Sequence, residues 1–160
     1  MRDQEGRSWS PRRLDRSCGV LALAAGSAHG VLFPAHLEEW WGYGLVFAAA
    51  SAAQVLLGLA LLTDAINPQD SGPGWWRMRR AVVLAGILGN LALIGLYSVT
   101  RTVGVPFFGP QAGEVEPVGA IDVFTKLVEL GLVIGLVALW REHPGGAAGT
   151  APAGAPGGPG

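Results

Sequence analysis

Charged side chains stand inside long apolar segments of this sequence, where exposure to lipid would be costly. One apolar run contains Asp122, Lys126 and Glu129, and steps of four and three residues place them on one face of a helix. A charged residue at the centre of a membrane helix costs about 2.5–3.5 kcal/mol on insertion scales, so such residues face protein or a cavity. Carboxylates beside an ammonium group either bind a proton, an ion or a small ligand, or form a structural ion-pair network.

Three other apolar runs carry polar residues with the same helical periodicity. One face of each run holds its polar members: Asn90, Tyr97 and Arg101; Tyr43 and Gln54; Cys18 and His29. Lipid cannot satisfy polar groups, so four such faces are expected to turn toward a common axis. We predict that Gln54, Asn90 and Glu129 lie near the middle of the membrane, with the other ionisable members toward the outer side.

The candidate residues of this polar core or ligand site are His29, Gln54, Asn90, Arg101, Asp122, Lys126 and Glu129. In a binding pocket, Arg101 and Lys126 would hold an anion or tune the carboxylates, and Glu129 would be the proton-active group. A purely structural core is the open alternative. In that case Lys126 pairs with Asp122 and Glu129, and Arg101 pairs with Asp122 or Glu114.

The sequence supports a metal site or an enzymatic activity less strongly than it supports a polar core or a ligand pocket. His29, His36 and Glu39 are candidate ligands for a divalent ion, but Pro34 separates the histidines and no His-x-His spacing occurs. The single cysteine, Cys18, lies among apolar neighbours and offers neither a disulfide nor an activated thiolate. No nucleophile–base pair is readable, so the sequence favours a non-enzymatic protein and identifies no cofactor.

Four apolar runs position these residues, over 18–33, 42–62, 81–100 and 118–139. A helix needs about 20 residues to cross the hydrocarbon core, which the last three runs supply. The first run is long enough if its helix continues past Pro34 with a kink. Only 14% of the 160 residues are charged, whereas soluble domains average about 25%. We predict an all-α, four-helix transmembrane bundle, multi-pass in the cell membrane.

The basic residues indicate the orientation of this bundle. Ten of the eleven are arginines, and they cluster before the first run, before the third run and after the fourth. The link 34–41 carries two glutamates and no basic Lys or Arg, and the link 101–117 has one arginine at its start followed by two glutamates. By the positive-inside rule, both termini are predicted to be cytoplasmic. The arginines form short flanks and no continuous patch, which argues against nucleic-acid binding.

The predicted organisation is an Arg-rich cytoplasmic tail over 1–16, a membrane domain over 17–142, and a disordered Gly/Ala/Pro tail over 143–160. Alternatively, the first run and the small residues 26–28 form a cleaved signal peptide, which would leave three spans. Ladders of small residues at Ala22, Gly26 and Gly30, and at Gly131 and Gly135, permit close helix contacts within the bundle or in a homo-oligomer.

Two segments on the predicted outer side of the bundle are similar to segments found in a family of membrane proteins. They read His36-Leu-Glu-Glu-Trp-Trp-Gly-Tyr-Gly44, with Gln54 downstream, and Thr100-Arg-Thr-Val-Gly-Val-Pro-Phe-Phe-Gly-Pro110, followed by Gly113-Glu114 and Asp122. On these segments the chain resembles an uncharacterised family of four-span bacterial integral membrane proteins, over residues 18–141. The resemblance implies the four-span fold and carries no activity.

Three classes of function remain open. The best supported is a small membrane protein with a polar intramembrane pocket, open to the outer side, that binds a small ligand, an ion or a proton. Phe107 and Phe108, in a Gly- and Pro-rich link, either cover this pocket or form a plain connector. The alternatives are an accessory subunit that docks on a membrane protein partner through a bundle with a structural core, and a membrane redox or metal-binding enzyme.

Overall fold

The computed structural model describes residues 11–66, 74–105 and 107–142, and over these ranges it is all-helical without strands. The helices are α1 (Pro11–Glu39), α2 (Trp41–Leu62), α3 (Trp75–Thr102) and α4 (Ala120–Glu142). All four are long and apolar enough to cross a membrane, which confirms the predicted number of candidate spans. The shortest, α2, has 22 residues and is about 33 Å long, enough for a hydrocarbon core of about 30 Å. The predicted C-terminal tail lies outside the described residues.

The first helix is longer than its apolar run at both ends. It begins at Pro11, where a missing backbone N–H is harmless because the first turn has no partner for it. It continues through Pro34 to Glu39, as a full membrane crossing requires. Residues 11–16, which the sequence prediction placed in the cytoplasmic tail, form the first turns of α1.

The four helices form a bundle that is closed on three sides. α1 packs against α2 and α4, and α4 packs against α3, whereas α2 and α3 touch at only a few points. Both ladders of small residues lie inside the bundle. Ser51 Oγ on α2 donates to the Gly26 carbonyl at 2.8 Å, and a Cβ on Gly135 of α4 would lie 2.6 Å from Cys18 Sγ.

The bundle core changes character along its axis. We call the end where α1 begins and α4 ends the terminal end, and the opposite end, where Trp40 joins α1 to α2, the turn end. The terminal half holds an apolar cluster of Cys18, Ala22, Leu57, Leu61, Ile66, Val83, Ile87, Leu132, Val133, Leu136 and Leu139. Lipid is as apolar as these side chains, so close packing rather than transfer from water holds this half together.

A buried ion pair lies beyond this cluster at the terminal end. Arg79 Nη2 on α3 is 2.7 Å from Asp15 Oδ1 on α1, and both side chains are buried. Arg80 lies beside it, with its guanidinium 4.2 Å from the ring centroid of Trp140. The sequence prediction missed the pair because it assigned Asp15 to the tail.

One residue makes the reversal at the turn end. Trp40 is extended (φ −166°, ψ 136°) between the last turn of α1 and the first turn of α2. Its N–H donates to the His36 carbonyl at 3.0 Å, and its carbonyl accepts from the Gly44 N–H at 3.2 Å. Because Trp40 closes both helix ends, α1 and α2 run antiparallel and side by side from this point.

Candidate functional site

The carboxylate of Glu129 lies completely buried at the centre of the bundle, with 0% of the residue exposed. Its Oε1 is 2.7 Å from His29 Nε2 and 3.4 Å from Gln54 Nε2. Its Oε2 is 2.5 Å from Nζ of Lys126, which lies one turn earlier on α4. Donors from α1, α2 and α4 therefore converge on one carboxylate.

The third helix joins this cluster through Asn90. Gln54 Nε2 donates to Asn90 Oδ1 at 2.9 Å, and Asn90 Nδ2 donates to the Gly86 carbonyl at 2.8 Å. His29, Gln54 and Asn90 are each at most 5% exposed. We call His29, Gln54, Asn90, Lys126 and Glu129 the polar hub. Every helix contributes to it, as the helical spacing predicts.

The hydrogen-bond directions in the hub follow from its donors and acceptors. Gly86 offers a carbonyl, so Asn90 turns Nδ2 toward it and Oδ1 toward Gln54. Gln54 then uses Nε2 for both Asn90 and Glu129, and none of the described residues pairs with its buried Oε1. His29 donates from Nε2 to the carboxylate, and its buried Nδ1 likewise has no partner in the described part of the chain. Both unpaired atoms are acceptors when the imidazole is neutral.

A second layer of charges lies on the turn-end side of the hub. Arg101 Nη2 is 3.0 Å from Asp122 Oδ2, and Arg101 Nη1 donates to Glu116. The Gly119 N–H also donates to Asp122 Oδ2, at 3.0 Å. The expected pair of Arg101 with Asp122 is confirmed. The expected pair of Lys126 with Asp122 is wrong, because Lys126 contacts Glu129 instead, and the second partner of Arg101, Glu116, was not expected.

The ring of Tyr97 lies between the two cations. Arg101 Cζ is 5.1 Å and Lys126 Nζ is 5.5 Å from its centroid. A phenol ring at these distances attracts both cations through its quadrupole, so Tyr97 connects the charged layer to the hub.

A small cavity, the turn-end pocket, extends from the hub to this second layer. Its volume is about 110 Å³, and its walls include His29, Leu32, His36, Tyr43, Val46, Phe47, Ala50, Leu93, Leu96, Tyr97, Thr100, Arg101, Val105, Phe108, Glu116, Asp122, Thr125 and Lys126. His36 stacks on Phe47 with centroids 3.8 Å apart. The volume is below the roughly 300–1,000 Å³ typical of sites for drug-sized ligands, and it suits water or a small ion.

The link between α3 and α4 folds over this pocket. Tyr43 Oη donates to the Phe108 carbonyl at 3.0 Å, and the rings of Trp40 and Phe108 meet edge to face at 4.7 Å. The Glu116 N–H donates to the Thr100 carbonyl at 3.1 Å, which brings Glu116 beside Arg101. Phe108 therefore lines the pocket, whereas Phe107 is 87% exposed.

The charges that line the pocket and hub do not cancel when His29 is neutral. The cations Arg101 and Lys126 face three carboxylates, those of Glu116, Asp122 and Glu129. One proton on His29 would balance the set. Each cation already has a carboxylate within ion-pair distance, although the buried Nε of Arg101 has no hydrogen-bond partner among the described residues.

The candidate metal ligands are not brought together. His29 contacts Glu129, and His36 Nδ1 donates to the Leu32 carbonyl at 2.9 Å within its own helix. Over residues 11–66, 74–105 and 107–142, no group of three or more His, Cys, Asp or Glu side chains has the geometry to hold a metal ion.

All seven predicted polar residues lie in the hub or in the charged layer beside it. The sequence prediction missed Glu116 and the buried Thr125. Thr125 lies four residues before Glu129 on the same helical face, so it would have been identified if hydroxyl residues had been included among the polar residues considered. Glu116 lies in an irregular link, and no periodicity marks it.

Comparison with protein-family profiles, with curated proteins and with solved structures finds no match to this chain. The geometry of the hub and the pocket is therefore the basis for the function proposed below.

Proposed function

We propose that this chain is a multi-pass protein of the cell membrane that takes up a proton, from the outer side, at His29 beside Glu129. The observation that carries the proposal is the imidazole itself, which donates to a completely buried carboxylate through Nε2 and keeps an unpaired, buried Nδ1. A purely structural network is expected to pair its buried polar atoms, and this one leaves an acceptor unpaired on a residue of the pocket wall.

The charge balance supports a proton over an anion. A proton that binds His29 Nδ1 creates an imidazolium next to a carboxylate and brings the charged set to neutrality. An anion would add a negative charge to a set that already contains one more carboxylate than cations. The role expected for Arg101 and Lys126 as anion ligands is therefore not part of the proposal.

The proposed orientation of the protein in the membrane follows from the positions of the arginines. Exposed Arg12, Arg13 and Arg16 begin α1, exposed Arg77 lies at the start of α3, and exposed Arg141 ends α4. All lie at the terminal end, so the positive-inside rule assigns this end and both termini to the cytoplasm. The pocket then opens to the outer side beneath the part of the α3–α4 link that contains Phe108, which we call the Phe108 segment.

Nitrogen NMR of histidine-labelled protein in lipid nanodiscs tests this function directly. The chain has three histidines, and Gln substitutions of His36 and His143, one at a time, assign the signals. We expect His29 to carry its proton on Nε2 at alkaline pH. A second proton should appear reversibly on Nδ1 when the medium is acidified.

The control is Glu129→Gln, which keeps an acceptor for Nε2 but removes the negative charge. We expect this variant to take up no proton at His29 under the same conditions, because the two remaining carboxylates, Glu116 and Asp122, already balance Arg101 and Lys126. If His29 stays neutral in the native chain throughout, or if the Gln variant behaves identically, the proposal fails and the structural core is favoured.

A further inference from the structure

The side of the bundle between α2 and α3 is open. These two helices have few contacts, and the cleft between them has a volume of about 660 Å³. Its volume falls within the range of cavities that bind organic molecules, whereas the turn-end pocket is far smaller. A lateral opening between membrane helices faces the acyl chains of the bilayer, so its occupant would come from the lipid phase.

Small residues leave this space between the helices. Ala49, Ala53 and Ala60 line it on α2, and Gly86 and Gly89 line it on α3. A Cβ placed on Gly89 would meet no atom within 4 Å. The lining therefore has room for an apolar chain without moving either helix.

One residue of the cleft lining carries an unsatisfied polar group. Gln54 lines the cleft, is 3% exposed and has an Oε1 that receives no donor from the described residues. Its own Nε2 is already committed to Asn90 and Glu129. An unpaired buried carbonyl costs about 1–3 kcal/mol, so a donor that reaches it is stabilising.

We propose that the α2–α3 cleft binds a neutral amphiphile from the bilayer, with one apolar chain between the helices and a hydroxyl group that donates to Gln54 Oε1. The inference concerns a cavity other than the turn-end pocket and does not depend on proton uptake at His29.

The chemistry of the lining selects a neutral head group. Its described residues are apolar apart from Gln54 and Asn90, and none is charged. A charged head group would be desolvated there without a counter-ion. The free atom of Gln54 is an acceptor, so the ligand must supply an O–H or N–H donor, and a hydroxyl group is the simplest neutral one. The cleft and the pocket share Val46, Ala50 and Leu93, which places the head-group end of the cleft next to the hub.

Photolabelling of the full chain in nanodiscs tests the proposal. The probe is a long-chain fatty alcohol with a diazirine in its chain, and its competitors are the unlabelled alcohol and the corresponding methyl ether. We expect labelled peptides from both α2 and α3. The alcohol should compete about five- to tenfold better than the ether, which lacks the donor, as the loss of one hydrogen bond implies.

Two glycine variants of α3 provide the matched pair. Gly89→Leu fills the cleft, and Gly95→Leu adds the same side chain at another exposed position that does not line it. A Cβ at either position meets no atom within 4 Å, so both variants should fold. We expect Gly89→Leu to lose most of the labelling and Gly95→Leu to keep it.

Three results would overturn the inference. Equal competition by alcohol and ether would mean that the cleft holds an acyl chain without recognising a hydroxyl. Equal loss in both glycine variants would place the label outside the cleft. Efficient disulfide cross-linking of Gly89→Cys chains in native membranes would show that a second copy covers the cleft instead.

Discussion

His29 Nε2 and Glu129 Oε1 lie 2.7 Å apart, although 100 residues separate them in the chain. The contact joins the first helix to the last and places the imidazole between the buried carboxylate and the pocket, whose wall it forms in part. Since Glu129 has no solvent exposure, its charge depends entirely on the donors that surround it.

Replacing Glu129 by Leu should therefore be severely destabilising. The change leaves the Lys126 ammonium without its anion and removes the acceptor for His29 and Gln54. Breaking a buried ion pair from one side costs about 3–5 kcal/mol. We expect a loss of this size in the free energy of unfolding, measured by denaturant titration in detergent micelles. Glu129→Gln should cost less, because its carbonyl still accepts from His29 and Gln54.

The control for this comparison is Leu130→Ala on the adjacent, lipid-exposed face of α4. It removes more side-chain volume than Glu129→Gln but leaves no polar group unpaired. We expect a change below about 1 kcal/mol. A loss at Leu130 as large as that at Glu129→Leu would mean that α4 is sensitive everywhere and that the hub has no special role.

Lys126 and Glu129 should be energetically coupled. Lys126→Met alone leaves the buried Glu129 carboxylate without its cation. Lys126→Met combined with Glu129→Gln removes both charges of this contact. A double-mutant cycle on unfolding free energies should give a coupling of about 1–3 kcal/mol. Adding Asp122→Asn should bring no further gain, because Asp122 pairs with Arg101. Additive effects of the two substitutions would show that the close contact contributes no net energy.

Helical periodicity predicted most of this site because its members lie on regular helices. The steps from Asp122 to Lys126 to Glu129 fix their common face before any tertiary contact is known. The same rule extends backward from His29 through Ala25, Ala22 and Cys18 to Asp15, all of them buried on α1. Assigning residues 1–16 to a tail ended that pattern too early, and the Asp15–Arg79 ion pair was missed.

The sequence could not predict pairings that depend on irregular backbone or on helix order. Glu114 and Glu116 both follow Arg101 in the same irregular link, and the hydrogen bond from the Glu116 N–H to the Thr100 carbonyl brings Glu116 to Arg101. Likewise, no pattern within α2 or α3 reveals that these two helices stand apart. The cleft follows from the order in which the helices surround the axis, and sequence spacing carries no information about that order.

Topology is predicted by the charges at the two ends. A reporter fused at Gly113, in the link between α3 and α4, should be outside the cell, and one fused at Gly149, beyond the described residues, should be inside. Paired enzymatic and fluorescent reporters, each active on one side only, measure this directly. Both fusions on the same side would contradict the four-span arrangement, and exchanged sides would place the pocket on the cytoplasmic face.

The Phe108 segment should depend on a glycine at position 109 and much less on one at position 113. Both glycines have positive φ, +88° and +83°, so Ala at either position has a similar backbone cost of about 1–2 kcal/mol. They differ in their surroundings: a Cβ on Gly109 would clash with the Tyr43 hydroxyl, which holds the Phe108 carbonyl, and a Cβ on Gly113 meets nothing within 4 Å. Gly109→Ala should therefore displace the segment and expose the pocket.

The measurement is the rate at which a water-soluble thiol reagent labels Thr100→Cys, since Thr100 lines the pocket and the native Cys18 is buried. We expect faster labelling with Gly109→Ala and little change with Gly113→Ala; equal rates in both would mean that backbone strain, and not the Tyr43 contact, controls access.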